Sequence, residues 1–369
     1  MNSRERVMAA LHFQGPDRCP VKHFAFPGAF RRHGQRLVDL MNRYPDDFGN
    51  RYIRDSLQKA EQSPGGEAEN REVIEWKDAW GVTWRRLGGY TSGDIIAPAI
   101  PDWDAWKGYE FPAPPDRIYF DREAARIAEL KKTEYVPAGV GAYFQHLQHL
   151  RGPSDMLMDL GEDHEGLHEL ADRLVEHHLV SIRGWLAAGA DGVGFGDDLG
   201  SQDRLLVSPQ TWRRFFKPRY ARMFEPIRDA GTDVWFHSDG WILEIIDDLI
   251  EIGVTYLNPQ HEIMDTWRVG EIVRGRACIG TDLDRQWTIP FGKPQDVVAG
   301  AQRAIAAFGA NGGGVILHGE VGPEVPLENI EAMWSAFYRF GTYPLDWMPE
   351  YLASVGRHLA HRASRVERP

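Results

Sequence analysis

Ten polar residues stand where short apolar runs stop, tens of positions apart: Asp197, Asp198, His237, Asp239, Asn258, Gln260, Asp282, Asp284, His318 and Glu320. The run Asp233–Gly240, DVWFHSDG, ends abruptly in His-Ser-Asp-Gly. His237 and Asp239 are two apart, so continued strand geometry turns both to one face. A neutral imidazole and a carboxylate so placed can ligate a divalent metal, with a third ligand from another strand end. His318 and Glu320 repeat the spacing and are the natural complement. Such a nitrogen and oxygen set suits zinc with an open coordination position, or a harder metal. The competing reading is a hydrogen-bonded pair in which Asp239 orients His237 for acid–base or substrate-binding work. Asp197 joins these two as a catalytic candidate. Asn258, Asp282, His23 and Tyr143 are the substrate-binding candidates, although a lone strand histidine such as His23 is commonly structural. A single strand-end carboxylate is also an ordinary cap or turn residue, the competing reading for Asp198, Asp284 and Glu324.

Apolar runs alternating with helical patterns must position these residues. Strands are expected at Pro20–Phe26, Tyr135–Val140, Gly192–Phe195, Asp233–Gly240, Thr255–Asn258, Ala277–Gly280 and Gly314–Leu317. Helices are expected at 3–12 (capped by Ser3), 36–60, 121–132, 154–160, 164–188, 208–230, 241–252, 265–274, 294–309 and 327–342. Right-handed crossovers between successive strands give a parallel sheet. With an eighth strand near Ile118–Phe120 or Leu205–Val207, the expected fold is α/β, a (β/α)8 TIM barrel whose strand ends share one mouth. An open doubly wound sheet is the competitor, but no G-x-G-x-x-G follows the first strand. The chain, 1–369, reads as a single barrel domain with a hairpin and lid excursion at 50–116. Ile74–Arg86 is the hairpin, turned near Asp78, and 88–116 is Pro- and Gly-rich without periodicity. Trp76, Trp80, Trp84, Trp103 and Trp106 could cap a planar ligand or simply pack a lid.

Composition narrows the function class. The 369 residues are 43% hydrophobic and carry a net charge of -12, with no basic run. That disfavours nucleic acid and anionic membrane surfaces as partners. No apolar segment approaches the roughly 20 residues of a membrane span, and the charged amphipathic start is not a secretory signal. Cys19 and Cys278 are the only cysteines, so a disulfide framework and a thiolate-rich zinc site are both excluded, and a cytoplasmic setting is expected. Homo-oligomerisation stays open.

The segments MNSRERVMAALHFQGPDRCPV, GADGVGFGDDLGSQDRLLVSPQTWRRFFKPRYARMF, FHSDGWILEIIDDLIEIGVTYLNP and VGPEVPLENIEAMWSAF resemble the uroporphyrinogen decarboxylase superfamily. The resemblance implies a (β/α)8 barrel. It also implies either a tetrapyrrole decarboxylase or a methyltransferase that serves corrinoid proteins. The decarboxylases carry a motif of the type M-R-Q-A-G-R-Y after the first strand, where this chain has Phe24-Ala25-Phe26-Pro27-Gly28-Ala29-Phe30-Arg31-Arg32. The methyltransferases bind zinc through His-x-Cys and a later Cys. Here His237 matches the His, Asp239 stands at the first Cys, and the later position falls in His318-Gly319-Glu320. Oxygen in place of thiolate fits a Lewis acid acting on an ether oxygen. The resemblance therefore implies an O-demethylase-type methyltransferase that passes a methyl group from a small methoxylated or methylated compound to a separate corrinoid protein. The alternative is a metal-free decarboxylase of a tetrapyrrole or other aromatic carboxylate.

Overall fold

The computed structural model describes residues 1–49, 73–87 and 93–356. Its strands are β1 (Val21–Ala25), β2 (Val73–Lys77), β3 (Thr83–Leu87), β4 (Asp94–Ala97), β5 (Pro137–Gly141), β6 (Gly192–Gly196), β7 (Asp233–Ser238), β8 (Tyr256–Pro259), β9 (Cys278–Gly280) and β10 (Val315–Val321). Seven of them form one sheet in the order β1-β10-β9-β8-β7-β6-β5, every pairing parallel. Helices follow most strands and pack outside, which makes the fold an α/β barrel.

The alternation of strand side chains divides the protein into an outer and an inner core. Outward residues such as Val234, Phe236, Leu257, Ile279 and Leu317 meet the helices through Phe224, Ile246, Val297, Trp334 and Phe337. Inward residues Tyr135, Trp235, Tyr256, Cys278 and Ile316 close the barrel bottom with Val7, Leu11 and Phe48. The first helix, Ser3–Leu11, supplies that plug. Its cap is Asn2 rather than the expected Ser3, because the Asn2 and Glu5 side chains bond each other's backbone N–H groups.

The expected eighth strand is at neither proposed place. Ile118–Phe120 lies in helix Arg117–Leu130, capped by Asp116, whose side chain accepts from the Tyr119 N–H. Leu205 makes only an isolated bridge to Gly200. Between β1 and β5 the chain instead places Asp46–Phe48: the Asp47 N–H donates to the Val21 carbonyl at 2.8 Å, and Phe48 packs 5.9 Å from Trp235. The expected 36–60 helix stops early, as Gln35–Arg43; residues 50–72, its last expected part and the first part of the excursion, and 88–92 lie outside the described residues.

The expected hairpin is present. The β2 and β3 strands pair antiparallel and β4 adds a third strand. Asp78 builds the turn by accepting from the Trp80 and Val82 N–H groups and the Trp84 Nε1–H. Its tryptophans pack on the helices behind the sheet. Trp80 lies 4.0 Å from His146 and 4.8 Å from His177, and Trp84 lies 4.9 Å from His149.

Candidate metal and ligand site

Strand β7 carries the centre of the mouth. Its parity puts Trp235, His237 and Asp239 inside and Phe236 and Ser238 outside. His237 Nδ1 lies 3.0 Å from Asn258 Oδ1, and the Asn258 amide nitrogen donates to the Gly280 carbonyl at 2.9 Å. That second bond fixes which end of the amide faces the histidine. Nδ1 must therefore donate, which leaves the Nε2 lone pair free for a ligand. Two carboxylates face Nε2: Asp239 Oδ1 at 3.5 Å and Asp198 Oδ1 at 3.9 Å. Asp198, His237 and Asp239 each offer a ligand atom within 4.8 Å of the others.

The β6 and β7 strand ends are pinned together. A Cβ on Gly240 would stand 2.1 Å from the Gly200 carbonyl oxygen, and one on Gly200 would stand 2.4 Å from the Trp241 nitrogen. Only glycine fits at either place. Across this contact the Asp239 N–H donates to Asp198 Oδ1 at 3.1 Å and the Leu199 N–H to Ser238 Oγ at 3.1 Å. Gln145 holds the other Asp198 oxygen at 2.8 Å.

A second polar group lies beside the first. The Arg285 guanidinium donates to Asp239 Oδ2 and Glu320 Oε2, and stands 3.7 Å from Asp282. Burial, aided by Glu320 and opposed by Arg285, pushes Asp282 well above the usual carboxylate range. Asp239 Oδ1 is buried and accepts no hydrogen bond among the described residues. An orphaned carboxylate oxygen beside a fixed imidazole lone pair is the donor arrangement a divalent cation fits.

The remaining expected site residues separate by strand parity. Glu320 and His318 were the expected metal complement, whereas the ligand atoms that lie together with those of His237 and Asp239 come from Asp198. Strand β10 runs four residues past the expected Leu317, so both residues are inward in the wall, Glu320 held by Arg285 and His318 beside Lys22. Asp197 is one residue off the inward register. It lies fully buried behind the sheet and accepts from the Tyr143 and Gln145 N–H groups and the Tyr220 hydroxyl. Burial nevertheless raises its pKa to about 6. Tyr143 is equally buried, its hydroxyl bonded to the Ala171 carbonyl. His23 packs 4.4 Å from Trp334, on the helix side of β1. None of these three faces the mouth. Asp197→Asn is therefore expected to lower stability by about 1–3 kcal/mol, since an amide cannot accept all three bonds. Turnover below the melting transition should be retained, and thermal melts with a turnover assay check both.

Three features were missed in the sequence: Lys22, Arg285 and a glycine wall. Inward positions on β5 and β6 include Gly139, Gly194 and Gly196, while a register shift after Gly139 sets Gly141 opposite the outward Phe195. Among the described residues, a Cβ at Gly139 would meet nothing within 4 Å and one at Gly196 only His237 Cδ2 at 4.0 Å, while one at Gly194 would make ordinary contact with Trp235 Cβ at 3.5 Å. These alternating glycines leave open space beside His237, the usual meaning of glycine inside a strand where a ligand approaches. The period-two spacing in GVGFG was the available signal. Gly139→Val is expected to fill that space, abolishing ligand turnover while the melting temperature stays within error of the parent.

Comparison with known proteins agrees with this architecture. The family model described as uroporphyrinogen decarboxylase (URO-D) matches residues 87–340. Uroporphyrinogen decarboxylases from two strains of Thermus thermophilus are 29% and 28% identical over 252 residues, 64% of this chain and 69% of theirs. A solved methyltransferase from Methanosarcina mazei shares the fold, with TM-score 0.59 at 17% identity over 92% of this chain and 99% of that one.

Proposed function

From the premise that the chain belongs to the uroporphyrinogen decarboxylase family, whose members are enzymes, we propose a metal-assisted methyltransferase. It takes a methyl group from a small methoxylated or methylated compound and passes it to the cobalt of a separate corrinoid protein. One observation carries the metal: His237 Nε2, its tautomer fixed through Asn258, faces Asp198 and the orphaned oxygen of Asp239. His237, Asp198 and Asp239 would hold a divalent cation such as zinc. When bound, the cation supplies Lewis acidity toward the oxygen or other heteroatom that bears the methyl group.

The chain's own residues do the rest. Asn258 aims the imidazole, Gln145 aims Asp198, and Arg285 holds Asp239 by its outer oxygen. The glycines of β5 and β6 make room for the substrate beside His237. The methyl acceptor is a partner protein by the resemblance of the sequence to corrinoid-dependent enzymes. No helix among the described residues is long and apolar enough to cross a membrane.

The curated relatives favour a second reading, decarboxylation of a tetrapyrrole or other aromatic carboxylate. It would need a cluster of cations free to receive carboxylates, whereas Arg285 is committed to Asp239 and Glu320 and Arg32 to the Pro323 carbonyl, which leaves Lys22 as an inward cation without an ion pair among the described residues. The test supplies zinc-loaded protein with a panel of methoxylated aromatic and aliphatic ethers and cob(I)alamin, following methylcobalamin by absorbance. Methylcobalamin formation that requires zinc supports methyl transfer. Conversion of uroporphyrinogen to coproporphyrinogen by chelator-treated protein would replace that reading with the second.

A further inference from the structure

We propose that Lys22 and His318, side by side on β1 and β10, form a subsite that reads a hydroxyl group, so that ligands taken into the barrel carry an alcohol or phenol. Lys22 and His318 are direct register partners. Both are inward: Lys22 Nζ stands 5.7 Å from the centre of the Trp235 ring, and the buried His318 ring lies 6.0 Å from that of Phe24.

The two side chains offer opposite hydrogen-bonding characters. His318 Nδ1 is 3.0 Å from the Thr281 carbonyl, which can only accept, so Nδ1 carries the proton. The residue cannot swing away, because its N–H and carbonyl are both bonded to the Thr281 hydroxyl, at 2.7 and 2.8 Å. Nε2 is thus a buried lone pair, and it has no hydrogen-bond partner among the described residues. Burial first, then the charges of Lys22 and Arg285, oppose its protonation, against the hydrogen bond to Thr281. Lys22 brings a donor-only ammonium with no hydrogen bond or ion pair among the described residues; burial lowers its pKa, while the charges of Asp46, Glu320 and Asp282 favour the charged form, and Glu320 itself is held by Arg285.

A donor beside an acceptor selects its complement. A hydroxyl accepts from the ammonium and donates to the imidazole. A carboxylate or an ether oxygen can only accept, and would set lone pair against lone pair at Nε2. The open side of the barrel, at Gly139 and Gly196, leaves the room such a ligand needs. The inference rests on the barrel interior being the ligand cavity, as the proposed function has it, and not on which group is transferred.

Calorimetry with phenol, anisole and benzoate tests it on zinc-loaded parent protein, Lys22→Met and His318→Phe, with no corrinoid present. The parent should bind phenol about tenfold or more tighter than anisole or benzoate, the worth of a hydrogen bond made against one left unmade. Each substitution should erase that preference while zinc still binds one-to-one. If one variant fails to fold, the other decides. Equal affinities in the parent, tightest binding of benzoate, no binding of any probe, or a preference that survives substitution would each overturn the assignment. Methyl transfer to cob(I)alamin is measured separately, so either proposal can fail alone.

Discussion

His237→Ala is expected to lower zinc-dependent turnover at least about a hundredfold, because loss of an outer hydrogen-bond partner alone costs a metal site about 10- to 100-fold. The imidazole is the one nitrogen ligand of the cluster. Without it, two carboxylates remain, and one of them is already engaged by Arg285. Asn258→Ala makes the instructive companion. It removes the bond that fixes the imidazole tautomer, together with the amide's bond to the Gly280 carbonyl, but no ligand atom, so the loss should be of affinity and should be recovered by raising zinc concentration. His237→Ala should stay inactive at any zinc concentration. Turnover measured across a zinc titration separates a ligand from a residue that positions a ligand. If both variants matched the parent, the site would lie elsewhere.

Arg285→Met is expected to produce the largest loss of stability, about 3–5 kcal/mol, the usual cost of removing one partner from a buried charge cluster. Arg285 is the cation shared by Asp239, Glu320 and Asp282, and its side chain is 24% exposed. The sign of the pH dependence follows from the direction of the carboxylate shifts. Asp282 is already raised well above its usual range in the parent. Removing the guanidinium, which opposes that shift, raises it further. Between the unfolded and folded pKa values the folded state then binds more protons, so stability falls as pH rises through that window. The deficit of Arg285→Met should therefore be greatest at neutral to alkaline pH and shrink on acidification. Urea melts of parent and variant at several pH values give both magnitude and sign. A deficit that grows on acidification would contradict the assignment of Arg285 as the neutralising charge.

The alternating pattern of the sequence carried the barrel because strand and helix periods differ and the crossovers have one hand. His237, Asp239 and Asp282 were legible as mouth residues, since each stands at or just past the end of a short apolar strand. The errors came from parity and from strand length. Asp197 and Asp198 are adjacent, and only strand register shows that Asp198 faces the imidazole while Asp197 holds the Tyr143 and Gln145 backbone. Ending β10 at Leu317 made His318 and Glu320 look like loop ligands, when they belong to the inner wall. Arg285 sits in an irregular loop that has no period to read. Lys22 was hidden for another reason: a charged residue inside a short strand ordinarily marks a solvated face. Here it turns inward across the barrel toward Trp235. The eighth strand was sought in segments whose caps and bridges place them elsewhere.

The central claim, that Asp198, His237 and Asp239 hold a divalent cation, is tested most directly by calorimetric titration of zinc into chelator-stripped protein and into Asp198→Asn. The parent should take up one zinc per chain, and Asp198→Asn should bind it at least about tenfold more weakly, as expected for a site that loses one of three protein ligands. No one-to-one binding in the parent, or identical binding in Asp198→Asn, would contradict it.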